Sequence, residues 1–140
     1  TYTLPDASFT LLQAATQAEM EAASSTTAAV TPGREQYHPG VAKMWAYITV
    51  AGGTPSLDAS HNVTSITDTS AGVVTITIAT DFSSANYAAI ASAVNASGDV
   101  TVAHVRNGQA AGSLVVHTSN SSTGTDTDNI NLAVVAFGDQ

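Results

Sequence analysis

Met44-Trp45-Ala46-Tyr47-Ile48-Thr49-Val50 reads with a period of two. Met44, Ala46, Ile48 and Val50 fall on one side of an extended chain, and Trp45, Tyr47 and Thr49 on the other, because successive strand side chains point to opposite faces. Val73–Thr80 repeats the pattern: Val74, Ile76 and Ile78 face one way, Thr75 and Thr77 the other. These two segments predict half-buried β-strands. Gly52-Gly53-Thr54-Pro55 breaks the first, and Asp68-Thr69-Ser70-Ala71-Gly72 makes a hairpin loop between His61–Thr67 and Val73–Thr80. Further along, Val100–Arg106 and Ser113–Thr118 flank the turn-rich Asn107–Gly112, and Ile130–Phe137 forms the last strand before Gly138. Tyr87–Val94 is open between strand and helix because it is rich in alanine. About seven short strands separated by turn signals, with no alternating helices, predict an all-β antiparallel sandwich, jelly-roll-like, over residues 41–140.

Upstream, residues 1–40 lack that period. Thr1–Leu12 carries scattered apolar residues, among them Phe9, Leu11 and Leu12, and reads as an arm. Thr16 with Glu19 fits the capping box, in which the two residues satisfy each other's orphan backbone donors, so one short helix is expected over about Thr16–Ser24. Thr31-Pro32-Gly33 reads as a terminator. A helix this short is marginal in water and must dock.

Composition narrows the function. Of 140 residues only 10% are charged, against about 25% for an average soluble domain, and 20 are threonine. The net charge of −8 rests on just three cations, Arg34, Lys43 and Arg106. Nucleic-acid binding needs Lys and Arg to neutralise phosphates, so no nucleic-acid partner is expected, and anionic membrane surfaces are disfavoured for the same reason. With no cysteine, disulfides, zinc–thiolate sites and thiol nucleophiles are absent. No apolar run approaches the ~20 residues of a membrane span, and no charged-then-apolar leader pattern stands at Thr1.

Catalytic signatures are sparse. His38, His61, His104 and His117 are dispersed, with no His-x-His or His-Glu-x-x-His spacing, and simple hairpin registers do not place His104 opposite His117. Asp126-x-Asp128-Asn129 has part of the spacing of a calcium loop but lacks its glycine and distal glutamate, so no metal and no cofactor is expected. Glu19 and Glu21 are explained by capping and solvation, and no carboxylate pair is placed to flank a glycosidic bond. The sequons at Asn62, Asn95 and Asn120 are of a kind that occurs by chance in so Ser/Thr-rich a chain. Trp45 and Tyr47 form the strongest aromatic feature. Their side of the strand is either a second packed face or a subunit interface, where aromatic residues are enriched.

Several segments resemble one family. Ala15-Thr16-Gln17-Ala18-Glu19-Met20-Glu21-Ala22-Ala23-Ser24-Ser25-Thr26-Thr27-Ala28-Ala29-Val30-Thr31-Pro32-Gly33-Arg34 is similar to a segment found repeatedly in tailed-bacteriophage fibre proteins. Gln36-Tyr37-His38-Pro39-Gly40-Val41-Ala42-Lys43-Met44-Trp45, Ser60–Asp68, Ser84–Ala88 and Val135–Gln140 resemble parts of the C-terminal domain of such fibres. The resemblance covers about residues 14–94 and the C-terminal tail. It implies a non-enzymatic virion surface protein, commonly a trimer, with β-sandwich heads. The N-terminal arm would attach to other virion proteins, in capsid or tail, and loop tips would meet host-surface glycan. Since no extended shaft precedes the matching segment, a short fibre or spike is expected, with a capsid decoration protein as the alternative and a carbohydrate hydrolase behind both. Candidate assembly contacts are Phe9, Leu11, Leu12, Met20, Tyr37, Trp45 and Tyr47. Candidate receptor-contact residues are Arg106, Asn107, Gln109, Asn120 and Thr125, in the two loops after the Val100–Arg106 and Ser113–Thr118 strands.

Overall fold

The computed structural model describes residues 12–94, 101–128 and 131–140. Cα packing separates residues 1–41 from residues 42–140. Each unit is built by its own local rules.

In the N-terminal unit, helix α1 spans Gln17–Ala22 and α2 spans Pro32–Glu35. Thr16 caps α1: its Oγ1 accepts from the Glu19 amide at 3.2 Å, and the Glu19 carboxylate accepts from the Thr16 amide at 2.8 Å. These hydrogen bonds from the Thr16 backbone and side chain hold the Glu19 carboxyl below its ordinary range. The helix stops at Ala23, which turns left-handed (φ 48°). A parallel bridge joins Ala14 to Ala29, with Ala15 N–H donating to Ala29 O and Ala29 N–H to Gln13 O, each at 2.8 Å. Thr31-Pro32-Gly33, expected only to end a helix, instead begins the one-turn α2. Proline at the first helical position loses no hydrogen bond and presets the required φ.

The second unit is the expected all-β sandwich. Eight strands run β1 Met44–Ala51, β2 Thr54–His61, β3 Val63–Ser70, β4 Val73–Ile78, β5 Ala88–Val94, β6 Thr101–Val105, β7 Ser113–Asn120 and β8 Asn131–Phe137. They form two antiparallel four-stranded sheets, ordered β2-β1-β8-β5 (sheet I) and β3-β4-β7-β6 (sheet II). Hairpins β1–β2, β3–β4 and β6–β7 stay within a sheet, and the other connections cross between sheets. The strand not foreseen is β2. Its Pro55, Asp58 and His61 hide any apolar alternation, and it lies at the edge of sheet I, where a missing donor and charged side chains are tolerated. The ambiguous alanine-rich segment is the other edge, β5, paired along its length with β8.

Inward-facing side chains of both sheets make one core. Met44, Ala46 and Ile48 from β1 and Leu132, Val134 and Ala136 from β8 meet Val74, Ile76 and Ile78 from β4 and Leu114 and Val116 from β7. At one end of the sandwich the core is closed by Phe82 and Tyr87, whose rings stack with centroids 3.9 Å apart and planes 12° from parallel. The Tyr87 hydroxyl donates to Ser113 O at 2.9 Å. Asn62, in the left-handed region (φ 56°), ties three segments there: its Oδ1 accepts from Thr80 N–H at 2.7 Å, and its Nδ2 donates to Lys43 O and Thr80 O. Its side-chain amide is therefore committed inside the fold.

Burial pushes the Tyr87 phenol up to about 12 from 10.0. In the unfolded chain the phenol ionises near 10, whereas in the folded chain it stays neutral until about 12. The stabilisation is therefore complete below pH 10 and is lost as pH rises from 10 through 12. Urea midpoints across that range are expected to fall for the native protein and to fall less for Tyr87→Phe. Equal slopes would show that Tyr87 does not drive the loss.

Candidate functional site

The two sheets differ in what their outer faces carry. The β3–β4 half of sheet II turns out hydroxyls: Thr67 and Thr75 are paired across β3 and β4, Ser65 and Thr77 likewise, and Thr69 Oγ1 and Thr75 Oγ1 lie 2.9 Å apart. Its β7–β6 half is mixed, with Val115, His117, His104 and a 42% exposed Val102. Sheet I turns out apolar side chains instead. In its register Trp45 stands between His61 of β2 and Val135 of β8, and Val135 in turn stands beside Ile90 of β5. The next row is Ala59, Tyr47, Ala133 and Ser92. Both rows cross all four strands, about 14 Å at ~4.8 Å per strand step.

Trp45 is 42% exposed, Tyr47 36% and Ile90 62%. The two readings of the aromatic side are thereby separated among the described residues, since this face is not a second packed face within the sandwich. Its centre is also free of charge. Asp58 sits toward one end, where its Oδ1 accepts from Thr49 Oγ1 at 3.0 Å and from Ser56 Oγ at 3.4 Å. The centre of the sheet is thus a contiguous aromatic and aliphatic row without charge.

Ile90 and Val135 were not among the sequence candidates, although a signal for them existed. Leu132-Ala133-Val134-Val135-Ala136-Phe137 is apolar at every position, which for a central strand means that both faces need cover.

The other candidates are scattered. Phe9 and Leu11 lie outside the described residues. Leu12 is 72% exposed, whereas Met20 is buried and lines a cavity of the N-terminal unit with Ala15, Ala23, Ala28 and Val30. Tyr37 is half-buried, with the Arg34 guanidinium carbon 5.9 Å from its ring centroid. The five proposed receptor contacts do not share a surface. Arg106, Asn107 and Gln109 precede β7, and Asn120 and Thr125 lie at and beyond its far end, so the strand's length separates the two groups. Gln109 Nε2 donates to Ala85 O and Tyr87 O at 2.9 and 2.8 Å and fastens its loop down. Asn120 Oδ1 accepts from Ser122 N–H, Ser122 Oγ–H and Thr123 N–H, which builds the turn after β7. Arg106 and Asn107 are exposed.

One expectation is overturned. His104 and His117 are direct partners across β6 and β7. The hairpin loop is longer than a simple register allows, because Arg106 N–H still donates to Val115 O and a small inner turn closes at Ala110 and Ser113. That shifts the pairing and brings the two rings together. Among the described residues no group of three or more His, Cys, Asp or Glu is placed to hold a metal ion, and no helix is long and apolar enough to cross a membrane. Comparisons with protein-family models, curated proteins and solved structures find no match to this chain.

Proposed function

We propose that the protein is a non-catalytic structural subunit of a virion appendage that assembles with copies of itself, as a trimer, through the outer face of sheet I. The observation that carries this reading is the uncharged row Trp45–Val135–Ile90, with Tyr47 beside it, left in contact with water in the single chain. A second copy fits this face better than an unrelated charged partner, because like faces meet without burying an unpaired charge at the centre of the row, Asp58 lying toward one end. The resemblance of residues 14–94 to phage fibre domains supports the virion setting, as a short fibre or spike. In that setting the loop bearing Arg106 and Asn107 offers exposed polar side chains to host-surface glycan.

Sedimentation equilibrium of the native chain and of a Trp45→Asp, Tyr47→Asp variant tests the reading. The native protein is expected at three times the 14.1 kDa chain mass, and the variant at one chain mass with an unchanged circular-dichroism spectrum and a Tm that no longer depends on concentration. A native protein that sediments as a monomer at every concentration overturns the proposal.

A further inference from the structure

The His104–His117 pair has a geometry that sheet formation does not require. His104 Nε2 and His117 Nδ1 lie 3.4 Å apart, and the rings meet edge to face with centroids 5.0 Å apart at 83°. On its far side, His117 Nε2 is buried and sits 2.8 Å from Asp126 Oδ1, a close electrostatic contact that lies off the axis of an aligned hydrogen bond. Asp126 is fixed there by its bridge to Ser119, where the chain after β7 turns back along it. Beside His117, on the other neighbouring strand, its register partner is the buried Val73 of β4.

A tetrahedral zinc ion holds imidazole nitrogens at about 2.0–2.1 Å, which sets two such donors about 3.3–3.4 Å from one another. The observed separation already matches that edge. Only direction must change: each lone pair swings roughly 35° off the nitrogen–nitrogen line to meet at a common apex. The terminal torsion of histidine has broad wells that permit this. The pair fits a metal with His104 as its Nδ1–H tautomer and His117 as its Nε2–H tautomer, each then offering a lone pair from the nitrogen that faces the other ring.

We propose that His104 and His117 chelate one divalent cation of the zinc class, with Asp126 as a positioning residue that holds the His117 ring through its other nitrogen. A carboxylate behind a ligating histidine is the recurrent arrangement around such ions. Water completes the coordination, because the His104 side is open to solvent. The ion ties β6, an edge strand of sheet II, to β7. This site is on the opposite sheet from the assembly face and does not depend on it.

The test is calorimetric titration of the chelator-treated full chain with zinc chloride, followed by thermal melts. One ion per chain is expected, with Tm raised by about 5–10 °C at a hundredfold excess over Kd. His104→Ala, a change at an exposed position, and His117→Ala should each abolish that binding while circular dichroism stays native. Asp126→Asn should weaken it about 10- to 100-fold. Absence of binding by the native chain, or zinc held equally by both alanine variants, overturns the site. Unchanged affinity in Asp126→Asn overturns the positioning role.

Discussion

Gly72→Ala is expected to cost on the order of 4 kcal/mol, combining left-handed backbone strain with overpacking against atoms that cannot move away. Gly72 closes the β3–β4 hairpin with φ 69°. Its carbonyl accepts from Thr118 N–H at 2.7 Å, and its own N–H donates to Asp128 Oδ1. A Cβ there would press on Thr118 O of β7 and lie 2.9 Å from Thr127 N in the segment that follows it, both backbone atoms. The hairpin tip is thus wedged against the strand end it supports. Gly124 provides the comparison, since it has φ 67° and a Cβ added there would meet nothing within 4 Å. Gly124→Ala should cost only the backbone strain, about 1–2 kcal/mol. Urea midpoints of the two variants, at unchanged m, measure the difference. Equal losses would show that Gly72 matters for its torsion alone.

Ile76→Ala should lose about 2–5 kcal/mol, with the upper half of that range expected. Ile76 is fully buried, at 0% exposure, in the middle of β4, paired with Ile66 on one side and Leu114 on the other. Neighbours fixed by two ladders cannot collapse into the space, so the cavity cost adds to the lost transfer energy. Thr75, the preceding residue, points out of the same strand, where its hydroxyl meets that of Thr69. Thr75→Ala is expected to cost under about 1 kcal/mol. Comparable losses at the two positions would mean that the period-two assignment of faces is wrong.

That assignment was the most legible part of the sequence. Strands β1 and β4 show their inner faces directly, because an inner core and a different outer face force alternation on each; β8, apolar at every position from Leu132 to Phe137, shows that it is a strand but not which side faces in. The capping box at Thr16 and Glu19 was legible because it needs only two residues three apart. Strand β2 was not, since an edge strand owes its place to the neighbour it pairs with rather than to its own pattern. The register at His104 and His117 depends on how the Asn107–Gly112 loop folds upon itself, which spacing alone does not determine. The candidate receptor residues fell at opposite ends of β7 for a related reason: loops adjacent in sequence are kept apart by the strand between them. For the proposed assembly face, Trp45 and Tyr47 were visible as aromatic residues on the second side of a strand, whereas Ile90 and Val135 joined them only once strand order was known.

The same topology explains why sheet I and sheet II differ outside though they share a core. Threonine on the outer face of sheet II keeps β-branched packing while offering hydroxyls to water. On sheet I the central outward positions are Trp45, Tyr47, Val135, Ala133 and Ile90, with His61, Ser92 and Thr49 toward the margins. The proposed association surface rests on that row as a whole rather than on any single residue.

Trp45 is the one tryptophan of the chain, and it stands in the centre of that surface, so its emission reports directly on whether the face is covered. The native protein should show blue-shifted emission protected from iodide at micromolar concentration, shifting red and becoming quenchable as dilution separates the copies. Emission that is red-shifted and fully quenched at every concentration would contradict the account, because the face would then be one that the folded protein leaves in water.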